Sequence, residues 1–103
     1  MKLSSKQQEF TRCIGLLITY ATKQGYGLTF GDAFATTGHM KNSNHYKRLA
    51  VDFNLFIDGE YIVSSEHKAW GDLHGQWESL SKHSSPLILD DSNHFSFTHR
   101  GVW

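Results

Sequence analysis

Two segments of the chain carry apolar residues at the spacing of an amphipathic helix. Residues 4–25 repeat an apolar residue every three or four positions and end at Gly25, a residue type that commonly terminates helices. Residues 64–80 show the same spacing, and we predict that Ser64 or Ser65 caps this second helix. The predicted buried stripes are Phe10, Cys13, Ile14, Leu17, Ile18 and Ala21 in the first helix and Trp70, Leu73, Trp77 and Leu80 in the second.

The other apolar segments have the character of strands. Residues 26–35 predict one strand, and residues 48–63 predict a pair of strands joined by a tight turn at Asp58-Gly59. Residues 87–97 predict a short apolar run, a polar turn and a final strand. Helices packed on a small, mostly antiparallel sheet would give an α+β fold. The residues of the strand pair that alternate toward the core are Leu49, Val51, Phe53 and Leu55.

Composition narrows the classes of protein to which the chain can belong. Its 103 residues, 39% of them hydrophobic, suit a single domain spanning residues 1–103 without a separate binding module. The formal net charge is zero, which argues against nucleic acid as a partner, and no apolar run is long enough to span a bilayer. Cys13 is the only cysteine, and the polar N-terminus lacks the apolar stretch of a secretory signal. We expect a cytoplasmic monomer with no stable membrane association.

Candidate chemistry begins with Asp52, which lies within a predicted buried strand. A buried carboxylate needs a partner that offsets the cost of its desolvation. His45 precedes Asp52 by seven residues, and Asp91 precedes His94 by three. Zinc binds His nitrogen and Asp oxygen, and catalytic zinc sites use three protein ligands. His45, Asp52 and His94 would form such a set, with Asp91 beside it as a general base.

The spacing alone leaves other roles open for each of these residues. His45 could be an exposed loop residue, and His94 a half-buried residue of the last strand. Asp52 could pair with Arg48 or Lys47 at a strand edge. The carboxylate three residues before His94 could simply stabilise the turn in "DDSN".

Two motifs resemble those of a known family of zinc peptidases. "SNHYKRLAVDF" resembles the pattern Ser-x-His-x-x-[Gly/Arg]-x-Ala-x-Asp of the zinc D-Ala-D-Ala carboxypeptidase family, which includes the phage L-alanyl-D-glutamate endopeptidases used in lysis. "DSNHFSF" resembles the closing Asp/Glu-x-x-His-Phe of that family. The segments "NLFIDGEYI" and "WGDLHGQWESL" resemble short phage members, so the likeness covers most of the chain from Tyr26 onward. The motif positions are Ser43, His45, Arg48, Ala50, Asp52, Asp91, His94 and Phe95.

The resemblance implies a fold of the DD-peptidase and hedgehog type, with one Zn²⁺ per chain held on the sheet. It implies that His45, Asp52 and His94 are the zinc ligands, that Asp91 is the catalytic base and that Ser43 supports the site by hydrogen bonding. The expected partner is the peptidoglycan stem peptide, hydrolysed at the L-Ala–D-Glu bond or at D-Ala-D-Ala. Such a lysin would wait in the host cytoplasm and act on peptidoglycan after its release across the membrane.

The chain departs from the family pattern in two places. Family members often carry an oxyanion-stabilising Arg in a Tyr-Arg pair at the end of the strand before the loop, and Ala35 stands at that position here. Loss of such a donor typically lowers the rate by about 10² to 10³-fold. Arg48, Lys41 or His39 are candidates to replace it. The second departure is "SKHSSPLILD", which stands where the family has a Trp-Gly-Gly stretch.

Two other functions stay open beside the peptidase. A degenerate relative would bind zinc and a cell-wall peptide with little turnover, which Ala35 favours. A metal-dependent nuclease is a weaker alternative, because the chain lacks a basic stripe. The loops around Gly38 and Ser84 are short, which predicts an open groove and endopeptidase action. Two further residues are candidate contacts: Arg48 with the D-Glu carboxylate, and His99 with the zinc ligands from the last strand.

Overall fold

The computed structural model describes residues 2–31 and 43–102. In these ranges the chain forms two helices and a small antiparallel sheet, which confirms the predicted α+β class. Neither helix is both long enough and apolar enough to cross a lipid bilayer. The elements are α1 (Leu3–Lys23), β1 (Tyr26–Phe30), β2 (Ala50–Ile57), β3 (Glu60–Tyr61), α2 (Lys68–Leu80) and β4 (His94–Ser96).

The sheet is built around β2, with which β1, β3 and β4 all pair in antiparallel orientation. β1 pairs with the second half of β2, from Tyr26 opposite Ile57 to Phe30 opposite Phe53. β3 pairs with the end of β2, and β4 pairs with its beginning, where Asp52 lies opposite His94. β2 is therefore the element that brings the N-terminal and C-terminal parts of the chain together.

The strand pair forms as its local sequence predicts. Asp58 and Gly59, which join β2 to β3, have positive φ angles of 52° and 81°. Positive φ at both central residues is the requirement of a type I′ hairpin turn, and Asp-Gly satisfies it. One face of β2 packs against the helices, and Asp52 and Asn54 lie on the other face and are only partly buried. The buried residues of the first face and its N-terminal flank are Leu49, Val51, Phe53 and Leu55.

The core lies between the sheet and the two helices. The apolar stripes of both helices are buried as predicted, except that Ile18 and Leu80 are only partly covered. Phe10 of α1 and Trp77 of α2 meet in an edge-to-face contact with ring centroids 5.7 Å apart. Burial raises the pKa of the Cys13 thiol, which fits the inert core role that its position on the stripe suggests.

The start of α2 differs from the prediction. The helix begins at Lys68, and His67 caps it by accepting a hydrogen bond at Nδ1 from the Ala69 N–H, at 3.1 Å. Neither serine is the cap. Ser64 instead accepts a hydrogen bond at its Oγ from the Glu66 N–H and closes a separate turn.

Asp72 joins α2 to the first half of the chain. Its carboxylate accepts hydrogen bonds from the hydroxyls of Tyr20 in α1, at 2.6 Å, and Tyr26 in β1, at 2.8 Å. The bond to Asp72 is the main reason why the pKa of Tyr26 rises to about 12, with burial adding to it. Both tyrosines therefore stay protonated near neutral pH and hold α2 against α1 and β1.

Candidate metal centre

Asp52 and two histidines meet on one face of the sheet. Asp52 and His94 are direct partners in the β2–β4 ladder, and such partners project their side chains on the same face. The Asp52 Oδ1 lies 3.3 Å from Nε2 of His45 and 3.3 Å from Nδ1 of His94. The His45 side chain is 2% exposed and the Asp52 side chain 19%. The cluster is therefore largely buried but open to solvent on the side of the carboxylate.

A single helical turn before β2 positions His45. The Ser43 Oγ accepts a hydrogen bond from the His45 N–H at 3.2 Å, and the Arg48 N–H donates to the His45 carbonyl, also at 3.2 Å. Arg48 has a φ of 56°, in the left-handed region that favours glycine. This backbone geometry gives a reason why the pattern that the segment resembles accepts Gly at that position. The turn followed by three strand residues accounts for the spacing between His45 and Asp52.

Asn44 secures this turn, and no pattern in the sequence indicates its role. It is fully buried, and its Nδ2 donates to the carbonyls of Phe97, at 2.6 Å, and Val102, at 2.7 Å. Both bonds reach the segment that follows β4. The residue before His45 is therefore fastened to the segment after His94, which helps to fix the two histidines relative to each other.

The other end of the site is held by α2. His74 is buried, and its Nε2 lies 2.7 Å from the carbonyl of Ser92, between Asp91 and His94. Burial lowers the pKa of His74 to about 4, so the neutral ring donates this bond through Nε2–H. The ring also stacks on Phe95, with centroids 4.0 Å apart. A signal for His74 was present in the sequence, because it lies four residues after Trp70 and three before Trp77 on the apolar stripe.

The electrostatics of the cluster keep Asp52 ionised. Burial by itself would raise the pKa of this carboxyl group. Hydrogen bonds from His45 and His94, together with their charge, outweigh burial and lower the pKa to about 2. Asp52 therefore carries a full negative charge near neutral pH, as a metal ligand must.

The three side chains fit a divalent metal ion. One atom from each of His45, Asp52 and His94 can be chosen so that all lie within 4.8 Å of one another. For metal–ligand bonds of about 2.0 to 2.1 Å, the ligand atoms of a tetrahedral zinc site lie roughly 3.3 to 3.4 Å apart. The separations of 3.3 Å between the Asp52 Oδ1 and each histidine nitrogen match that edge. These three side chains could therefore hold a metal ion.

Asp91 lies beside the cluster rather than within it. Its Oδ2 is 3.9 Å from Nδ1 of His94, and its side chain is 52% exposed. The loop that carries it is closed by hydrogen bonds from the Asp91 N–H to the Ile88 carbonyl and from the His94 N–H to the Asp91 carbonyl. A carboxylate so placed can accept a proton from a molecule bound at the mouth of the site.

The remaining predicted site residues lie elsewhere or outside the described ranges. Arg48 is exposed on the turn that carries His45. His99 has its Nδ1 3.3 Å from the Lys6 Nζ and pairs through its backbone with Val102, so these contacts face the start of α1. Three further positions lie outside the described residues: Ala35, where the oxyanion donor is predicted to be missing, and its possible replacements His39 and Lys41.

We predict that the protein binds one divalent metal ion per chain and that both histidines are needed. His45→Ala or His94→Ala should weaken zinc binding by more than about 100-fold, because two ligands remain of three. Isothermal titration of metal-free protein with Zn²⁺, together with metal analysis after dialysis, measures this. His67→Ser is the matched control, since serine also caps helices. Full metal occupancy in His94→Ala would contradict the assignment.

We predict that His74 makes the metal-free fold sensitive to acid. Its pKa is about 4 in the folded chain against 6.5 for an ordinary histidine, so the unfolded state binds more protons between these values. Its contribution to stability is fully present above pH 6.5 and should be lost as the pH falls toward 4, by about 3 kcal/mol. Urea unfolding of wild type and His74→Phe across this range measures the difference. A His74→Phe variant that loses stability as steeply as wild type would show that another group is responsible.

Protein-family models, curated proteins and solved structures were compared with the chain, and none matches it. The grounds for assigning a function are therefore the geometry of the His45, Asp52 and His94 cluster, the carboxylate beside it and the two motifs that carry these residues.

Proposed function

We propose that the protein is a zinc metallopeptidase that hydrolyses peptide bonds in peptidoglycan stem peptides. His45, Asp52 and His94 would bind the zinc ion, and Asp91 would act as the general base. The observation that carries this proposal is the arrangement of four side chains. Three ligand atoms converge within a largely buried cluster, and a fourth, exposed carboxylate lies 3.9 Å from one of them.

Zinc is the metal that best suits this donor set. Two imidazole nitrogens and one carboxylate oxygen are typical ligands of catalytic zinc, and three protein ligands leave a coordination position open. Purely oxygen-rich sites favour calcium or magnesium, and thiolate-rich sites favour structural zinc or iron–sulfur clusters. When bound, zinc supplies Lewis acidity, which polarises a carbonyl group and makes a water molecule nucleophilic near neutral pH.

The chain's own residues would supply the proton transfers and the positioning. The Asp91 Oδ2 would accept a proton from the attacking water and then deliver it to the leaving amine. Its exposure lets it reach a substrate that lies over the mouth of the site. Ser43 and Asn44 hold the turn that carries His45, and His74 holds the carbonyl between Asp91 and His94. The segment that carries His45 and the segment that carries Asp91 and His94 would therefore be held in place by separate hydrogen bonds.

The substrate class rests on the motifs. The pattern around Ser43 to Asp52 and the closing pattern around Asp91 to His94 resemble those of peptidases that cut peptidoglycan stem peptides. The DD-peptidase and hedgehog type of fold is part of the same proposal, supported by an α+β domain in which the candidate ligands lie on the sheet. In its most specific form, the proposal is that the protein is a monomeric, phage-type lysin that cleaves the L-Ala–D-Glu bond.

One alternative keeps the site but not the activity. Ala35 stands where the resembled family has a cationic oxyanion donor, and a peptidase without that donor would be slow. A protein that binds zinc and a cell-wall peptide with little turnover would have the same three ligands. Turnover measurements separate this alternative from the peptidase.

Replacement of Asp91 is the sharpest test of the proposed base. Asp91→Asn should keep the metal and lower turnover by about 10² to 10⁴-fold, because the amide cannot accept the proton. Asp90→Asn is the matched control, since Asp90 is the neighbouring carboxylate and is also exposed, and we expect this variant to be nearly silent. Metal analysis and hydrolysis rates on the same preparations measure both effects. Loss of the metal from Asp91→Asn would make this residue a ligand.

The substrate is tested with a purified stem peptide that ends in D-Ala-D-Ala. Incubation with zinc-loaded protein should separate L-Ala from D-Glu, and mass spectrometry identifies the products. The chelator-treated protein and Asp91→Asn are the controls. Release of free D-Ala with the L-Ala–D-Glu bond intact would make the protein a carboxypeptidase. Binding of the peptide without cleavage would support the low-turnover alternative.

A further inference from the structure

A second cluster of chemically active side chains lies away from the metal centre, where α1 begins. Lys47, His99, Arg100 and Val102 line a cavity of about 190 Å³, which we call the basic pocket. Lys6 supports it from α1, because its Nζ lies 3.3 Å from Nδ1 of His99. The proposed hydrolytic reaction uses none of these side chains.

Lys6 is unusual because it is only 8% exposed. Its Nζ donates to the Thr98 carbonyl at 2.6 Å and contacts the His99 ring, and both are uncharged partners. Among the residues that the structure describes, no carboxylate forms an ion pair with Lys6, Lys47 or Arg100. Glu9 acts on Lys6 electrostatically without forming an ion pair with it, so the three cations leave a locally positive region that attracts an anion.

The contact with Lys6 fixes which nitrogen of His99 can serve a ligand. An ammonium group can only donate, so Nδ1 of His99 must accept this hydrogen bond. The ring proton then lies on Nε2, which becomes a hydrogen-bond donor. Burial first, and then the charges of Lys6, Arg100 and Lys47, lower the pKa of His99, which keeps the ring in this neutral form.

Arg100 occupies a backbone position that arginine rarely adopts. His99 and Val102 exchange two backbone hydrogen bonds, of 2.8 and 3.0 Å, around Arg100 and Gly101. The φ angles of these two central residues are 50° and 77°. Turns of this kind favour Asn or Gly at both central positions. From this turn the exposed Arg100 side chain lines the basic pocket.

We propose that the basic pocket is a binding site for a phosphate group. The Arg100 guanidinium offers the paired donors that match two oxygens of a phosphate, Lys47 supplies a point charge, and His99 donates through Nε2–H. The cavity of about 190 Å³ has room for a phosphate group.

The position of the pocket connects it to the metal centre. Lys47 lies in the same turn as His45, and that turn is fastened to the Phe97 and Val102 carbonyls by Asn44. An anion held by Lys47 and Arg100 would therefore bridge the two segments that Asn44 already joins. The phosphate could belong to a soluble ester or to a lipid headgroup, and the two sources present the same oxygens.

The test is a calorimetric titration of the full chain with inorganic phosphate and with glycerol 3-phosphate, at constant ionic strength with chloride as the reference anion. We expect saturable binding that weakens by at least about tenfold in Lys47→Gln and in Arg100→Asn. Asparagine suits the positive φ of position 100, so this variant removes the guanidinium and keeps the turn. Arg100→Lys should recover part of the affinity.

Lys23→Gln is the matched control. It also removes one positive charge, but from a position about 25 Å from Lys6 along α1. Cosedimentation with phosphatidylglycerol and phosphatidylcholine vesicles forms the second arm. Saturable binding of either soluble phosphate, lost in both pocket variants, supports a free phosphate ligand. Retention on phosphatidylglycerol vesicles alone, again lost in both variants, assigns the site to a lipid headgroup. The proposal would be overturned if Lys23→Gln weakened binding as much as the pocket variants do, or if neither soluble phosphate nor vesicles bound. Neither result bears on the peptidase activity.

Discussion

The contact of the Asp52 carboxylate with two histidines is the interaction on which the candidate metal centre depends. A carboxylate on a central strand is costly unless cationic or metal partners offset its desolvation. Here Nε2 of His45 and Nδ1 of His94 both lie 3.3 Å from the same oxygen. The turn before β2 positions His45, and the pairing of β2 with β4 positions His94, so both features are needed for this geometry. Metal binding at this point would therefore stabilise the link between the two halves of the chain.

The packing around the cluster explains why its geometry is well defined. α2 lies behind β4, where Trp77 is fully buried and its Nε1–H donates to the Ser96 carbonyl at 3.1 Å. His74 fixes the segment between Asp91 and His94 from the same helix, and Asn44 fixes the segment before His45. Each of these bonds is buried, where a lost hydrogen bond typically costs about 1 to 3 kcal/mol. A small domain thus holds its candidate ligands through several independent buried contacts rather than through loop rigidity.

Charge is distributed unevenly over a molecule whose formal net charge is zero. Asp52 and Asp91 place negative charge at the metal centre, whereas Lys6, Lys47 and Arg100 place positive charge around the basic pocket. The turn containing His45 and Lys47 belongs to both regions. Net charge therefore describes this protein poorly, because local fields at two sites decide which ligands each can attract.

The sequence by itself determined the elements whose cause is local. The periodicity of α1 and α2, the alternation of β2 and the Asp-Gly turn all depend on residues close together in the chain. The corresponding elements are present, although α2 begins only at Lys68 and β3 is confined to Glu60–Tyr61. The sequence also suggested the candidate ligand set, because His45, Asp52 and His94 are residue types that bind zinc and lie in motifs that resemble those of zinc peptidases. The prediction of Ser64 or Ser65 as the cap of α2 was wrong. His67 lies close to both serines and can also cap a helix, and the sequence does not show at which of the three residues the helix begins.

Only the tertiary structure decided which of these residues meet. Asp52 and His94 are far apart in sequence, and their contact follows from the register of β2 with β4. A shift of that register by one residue would send one of the two side chains to the opposite face of the sheet. The same dependence on long-range contacts explains why Asn44 and Lys6 had no signal in the sequence. Their partners, Phe97, Thr98 and His99, lie at the other end of the chain. Local patterns specify helices and turns, but a site assembled from distant segments exists only once the sheet has brought those segments into register.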